Sequence, residues 1–230
     1  KSMRQPSMEH NTIRCRRNRR RLEKRQDRCT GEGCNRKHQY PTNLLHWEFE
    51  WENLNRLGDD SVVTITGSDT KVTVTSSAEE KGVITGGNNP SNGGGFSIQD
   101  ATVSLHNLSI TENKAIGDGG GVTGGGGIYA KDANLTLDNV HVYENTADLE
   151  EHEAADGGGI LSIGGALTIK NNSVIENNTA IDDGGGICAS NTLVNIEASV
   201  IQDNHSLYGG GLYVTGKKLL YNYPKHTYSK

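Results

Sequence analysis

The residues best placed to do chemistry in this chain are aspartates. Asp118, Asp156 and Asp183 each stand immediately before a run of three glycines, and Asp182 and Asp183 are adjacent. Carboxylates gathered in this way can share a hard cation such as Ca2+, or divide the parts of acid and base in hydrolysing a glycosidic bond. Adjacency argues against the second use, because neighbours in an extended chain face opposite ways. If successive repeats stack, however, Asp156 and Asp183 come to lie one strand spacing apart, where like charges either splay into water or share an ion. We therefore take Asp156 and Asp183 as the metal candidates and Ca2+ as the expected ion. The Gly-Gly-x-Gly-x-Asp calcium nonapeptide is not present. No catalytic residue and no other cofactor is expected.

The sulfur and imidazole groups point to less. Cys15, Cys29, Cys34 and His38 could surround zinc in principle, but 13 residues separate the first two cysteines and no Cys-x-x-Cys pair occurs. Cys188 falls on an outward strand position with no aligned histidine, so it is expected as a lone surface thiol. Residues 147–156 hold Asp148, Glu150, Glu151, His152 and Glu153. Together with residues 115–124 they form the longest projecting loops and the candidate recognition surface.

What must position these residues is a repeated phrase. It begins at Gly93, Gly125, Gly157 and Gly184, runs 20 or 21 positions to Asn113, Asn145, Asn178 and Asn204, and opens a fifth time at Gly209. Aligned copies place Phe96, Ile128, Ile160, Ile187 and Leu212 in one column, and Val103, Leu135, Leu167 and Val194 in a second. Ile110, Val142, Ile175 and Ile201 make a third, three residues before each asparagine. Alternation around these positions has the period of strands with one buried side.

No single copy can bury its apolar face alone, so like residues must stack on like. The fold class that follows is all-β, a parallel β-helix of about five to six coils with three sheets and rungs roughly 4.8 Å apart. Asn113, Asn145, Asn178, Asn204, Ile128, Ile160 and Ile187 are its expected structural ladders. Asparagine suits such a corner because it tolerates the left-handed region and bonds to its own kind along a stack. Insertions are confined to the link after each asparagine, which has 4 residues after Asn204 and 11 after Asn113 and Asn145.

The pairing of Gly-Gly-Gly-(Ile/Phe/Leu) with (Ile/Val)-x-x-Asn resembles the tandem GGA(I/L/V) and FxxN motifs of bacterial polymorphic outer-membrane proteins and related adhesin-like right-handed β-helix proteins. Here glycine replaces the motif's alanine and an aliphatic residue its phenylalanine. The resemblance covers the last two thirds of the chain. It implies a non-enzymatic cell-surface, outer-membrane or secreted segment that acts as spacer and binding surface. Its partners would be a host-surface or extracellular-matrix protein or a glycan, with membrane association only through segments outside this chain. The alternative is a carbohydrate-active, pectate-lyase-like β-helix with its site outside this segment. The motifs Asn-Thr-Asp, Gly-His-Gly and Arg-x-Lys are absent, and no arginine occurs between Thr85 and Gly216.

The net charge of −5 conceals two opposed parts. Residues 1–40 carry 13 Lys or Arg against 4 Asp or Glu, and the remainder carries 10 against 24. An acidic repeat body disfavours nucleic acid as its partner, and none is expected. The basic arm, residues 1–40, is expected to be disordered for want of apolar residues. Residues 41–58 are expected to form a capping helix, because Leu44, Trp47, Trp51 and Leu54 fall three, four and three apart. The β-helix is then expected over residues 59–216, with 217–230 as a tail or truncated coil.

Overall fold

The computed structural model describes residues 12–15, 45–49, 53–55, 60–76, 80–117, 123–149, 154–216 and 218–222. All its regular elements are β-strands, and the long sheets are parallel. The protein is a parallel β-helix. Each coil passes through a first sheet (Ile128–Lys131 in the coil that begins at Gly125), a second (Asn134–Asp138) and a third (His141–Tyr143). Among the described residues no helix is long and apolar enough to cross a membrane.

The register is the one that the repeat demands. In the first sheet Ile128 pairs with Phe96 on one side and Ile160 on the other, Ile160 with Ile187, and Ile187 with Leu212. Leu135 lies between Val103 and Leu167, and Val142 between Ile110 and Ile175. Every second residue of these strands enters one core, and Ile128, Ile160, Ile187, Leu137 and Ile169 are completely buried there. At about 25 cal/mol per Å2 of apolar surface removed from water, each such side chain contributes roughly 1.5–3 kcal/mol. Stacking identical branched residues fills the core without gaps, because each layer repeats the shape of the one below.

Four expectations are corrected. Of residues 41–58 the described ones are strands and not a helix: Leu45–Phe49 pairs in parallel with Lys71–Ser76, and Asn53–Asn55 with Gly82–Thr85. The three-four-three spacing of Leu44, Trp47, Trp51 and Leu54 competes with the alternation Leu45, Trp47, Phe49, and the neighbouring rung decides for the strand. The solenoid thus begins before residue 59. It also continues past 216, since Leu219–Asn222 adds a rung beside Leu193–Glu197. In the basic arm, Thr12–Cys15 forms a strand antiparallel to Val63–Thr66, on the outer edge of the first sheet. The outer side of Val63–Thr66 is thereby paired, and Thr12–Cys15 is the terminal strand of the sheet. The rest of that arm, with Cys29, Cys34 and His38, lies outside the described residues.

The fourth correction concerns the links. After the third sheet the chain makes a short fourth one, in which Lys114–Gly117 pairs with Thr146–Leu149, and a two-stranded ladder of Thr123–Gly124 with Ala155–Asp156. The longer links therefore carry rungs of their own. Beneath them Ala147, Ala155 and Ala180 form a second, small apolar cluster.

Candidate functional site

Two corners of the coil carry the polar residues singled out by the sequence, and the glycine triplet and the asparagine place both. At the asparagine corner the side chains form an unbroken ladder. Asn145 Oδ1 accepts the Asn113 backbone N–H at 3.1 Å and its Nδ2 at 3.0 Å, and Asn178 Oδ1 does the same for Asn145. Asn204 Oδ1 repeats the pattern for Asn178. Each Nδ2 also donates to carbonyls, those of Ile110 and Tyr143 in the case of Asn145. Asn113, Asn145 and Asn178 are buried, so these bonds satisfy groups that water cannot reach.

The asparagines do not occupy the left-handed region themselves. That conformation falls to the residue before each of them, Glu112, Glu144, Asn177 and Asp203, with φ between 50° and 54°. Asparagine is selected here for its amide alone. The conformational half of the reason for the column moves one residue back.

The glycine corner is set by close approach. Gly125 has φ +66°, and a Cβ on Gly126 would stand 2.4 Å from Thr146 O and 2.5 Å from Gly158 O. A Cβ on Gly127 would meet Gly159 O at 2.7 Å and the Asn145 amide at 3.1 Å. The first glycine also folds the chain back across the strand that follows it. In the copy beginning at Gly184, the Cβ position of that residue is 2.2 Å from Ile187 O and 2.7 Å from Cys188 N. The residue just before the triplet is thereby brought beside the first outward residue of the strand.

This geometry brings Asp156 and Asp183 together and adds a third group to them. Candidate ligand atoms of Asp156, Asp183 and Cys188 all lie within 4.8 Å of one another. The Asp183 N–H donates to Asp156 Oδ1 at 3.1 Å, which fixes one carboxylate to the next rung. Burial and the charges of Asp183 and Asp182 push the Asp156 carboxyl up to about 6, against the pull of that hydrogen bond. Burial and the Asp182 charge raise Asp183 as well, opposed by a hydrogen bond from Tyr213. Cys188 is pushed up to about 12, by burial first and the three aspartates second. It is a protonated thiol at neutral pH and no nucleophile.

Cys188 was expected at the surface and is instead 4% exposed. Its column runs Tyr129, Leu161, Cys188, Tyr213, and Leu161 is completely buried too. Leu161 and Cys188 point away from the main core yet are covered from outside, whereas Tyr129 and Tyr213 are half-buried. The signal available in the sequence was the offset of five between Asp183 and Cys188 across a glycine triplet. Asp118 does not belong to this column, for Gly124 is the residue in register with Asp156. Asp118 itself lies outside the described residues, as do Glu150, Glu151, His152 and Glu153. Of the expected recognition loops the described part includes Asp148, whose carboxylate pairs with Lys114 at 2.8 Å.

On the third sheet His141 Nε2 lies 2.8 Å from Glu176 Oε1, and Gln202 Nε2 donates to Glu176 Oε2 at 2.6 Å. The Gln202 bond, and then His141, hold the Glu176 carboxyl below its ordinary range. This row joins three rungs on the outer face and suits a solvated surface.

Residues 166–190, which span parts of two coils, match the Chlamydia polymorphic membrane protein repeat. That stretch runs from the second strand of one copy through Asn178 and the Gly184 triplet into the first strand of the next. The chain matches no curated protein sequence and no solved structure.

Proposed function

We propose that this chain is a surface-exposed or secreted adhesin-like segment, a non-enzymatic solenoid that spaces and displays a binding face. The reading rests on one observation. Uninterrupted side-chain columns carry the three long sheets, while variation in length falls in the links that build the fourth sheet, apart from one extra residue between Lys170 and Val174. A rigid stack with one variable edge suits a scaffold that changes its contacts without refolding. The match of residues 166–190 to a polymorphic membrane protein repeat supports placement at a cell surface or outer membrane.

The fourth-sheet edge is the binding face in this reading, with Lys114, Asp148 and the acidic residues that follow Asp148 in sequence. Its partner is a host-surface or matrix protein or a glycan. Binding of the purified chain to cultured cells, matrix proteins and glycan arrays tests this. Saturable binding, lost when Asp148, Glu150, Glu151 and Glu153 are replaced by serine in a chain that keeps its melting temperature, is the expected result. Turnover of an acidic polysaccharide, or binding that survives those substitutions, would refute it.

A further inference from the structure

We propose that Asp156, Asp183 and Cys188 form a binding site for a thiophilic divalent cation of the zinc class, with one oxygen of each carboxylate and the cysteine Sγ as protein ligands. All three ligand atoms lie within 4.8 Å of one another. Zinc holds oxygen at roughly 2.0–2.2 Å and sulfur at about 2.3 Å, so modest rotations of the two half-buried carboxylates close the group around an ion.

Two independent features point the same way. Asp156 and Asp183 stack like charge on like charge, and the ion pairs of the described solenoid engage Asp138, Asp148 and Glu176 but neither of these two. A cation between the rungs would remove that repulsion. Separately, the Cys188 thiol is 4% exposed, is free, and has no hydrogen-bond partner among the described residues, yet its sulfur is turned into the carboxylate pair. The equivalent positions in neighbouring coils hold tyrosine or leucine, so packing at this column does not call for a thiol.

Sulfur chooses the ion. Ca2+ takes oxygen ligands, whereas zinc and cadmium accept carboxylate and thiolate together. The donor set therefore departs from the calcium expected of two aspartates alone. Coordination transfers the thiol proton to solvent as the S–metal bond forms, so binding tightens as pH rises. The Tyr213 hydroxyl hydrogen-bonds to Asp183 and would orient that carboxylate as an outer partner.

The test uses the full chain with Cys15, Cys29 and Cys34 replaced by serine, which leaves Cys188 as the single thiol. Cd2+ alone is titrated into the reduced protein, and the sulfur-to-metal charge-transfer absorption is followed. A one-equivalent, saturable band that Zn2+ displaces and a hundredfold excess of Ca2+ does not is the expected result. It should vanish in Cys188→Ser and require at least tenfold more Cd2+ in Asp183→Asn. Circular dichroism and melting establish that each variant is folded. Should Cys188→Ser fail to fold, Asp183→Asn and Asp156→Asn carry the test. No band in the folded parent, a band indifferent to both aspartate substitutions, or displacement by Ca2+ at parity would overturn the site.

Discussion

Replacing Asn145 by alanine should destabilise the solenoid by about 3–5 kcal/mol. The Asn113 backbone N–H, which donates to Asn145 Oδ1 at 3.1 Å, loses its acceptor in a buried corner. An orphaned buried donor costs about 1–3 kcal/mol. Asn113 Nδ2 loses one partner and keeps the carbonyls of Ile84 and Thr111. Ile110 O, Tyr143 O and Asn178 Oδ1 each lose a donor, a smaller cost wherever another remains. The missing amide also leaves a void of a few tens of Å3, worth about 1 kcal/mol.

Asn204 is the internal control. It makes the same bonds toward Asn178 but is only half-buried, so Asn204→Ala should cost about 1–2 kcal/mol. Urea unfolding followed by far-ultraviolet circular dichroism measures both. Hydrogen exchange at Asn113 N–H then shows whether the loss is local, since coupled repeats need not unfold in one step. Asn145→Asp is the isosteric probe. It keeps one acceptor and turns a second oxygen toward three others, which raises its folded pKa above the unfolded value of about 3.9. A carboxyl so raised binds its proton more tightly in the native state, and stability is lost as pH rises through that window. Asn145→Asp should therefore lie closer to the parent at pH 4 than at pH 7. An Asn145→Ala cost below about 1 kcal/mol, or equal to that of Asn204→Ala, would refute the ladder as the corner's main support.

Three further outcomes follow from the same geometry. Gly126→Ala drives a methyl into the backbone of Thr146 and Gly158 and should prevent soluble expression or cost more than about 3 kcal/mol, whereas Gly211→Ala meets only Ile201 Cγ2 at 3.3 Å and should change the melting temperature little. Ile160→Ala empties a fully buried position in mid-stack and should lower stability by about 2–5 kcal/mol in urea. Asp156→Asn, measured with chelator present, removes a carboxyl whose folded pKa of about 6 lies above 3.8. The parent loses stability as pH rises across that interval, so the variant should melt higher at pH 7.5 and match the parent near pH 4. Allowing for the half-exposed position, the gain is on the order of 1 kcal/mol.

The sequence by itself determined the coil. Ile128, Ile160 and Ile187 recur at one place in each copy, and burial of every second residue allows one register, because a slip of a single position turns the apolar set outward. The asparagine column was equally plain, since a residue type repeated at fixed spacing in a stack must meet its own copies. The ends and the outer corner were decided by tertiary structure. Residues 45–49 became a strand because an adjacent rung offered open hydrogen bonds, which outweigh a helical spacing that has nothing to pack against. Cys188 went inside because the chain doubles back at Gly184 and carries Asp183 over it. Repetition along the chain reveals what stacks along the axis; what meets across a corner depends on the path of the backbone between repeats, and residue order does not record that path.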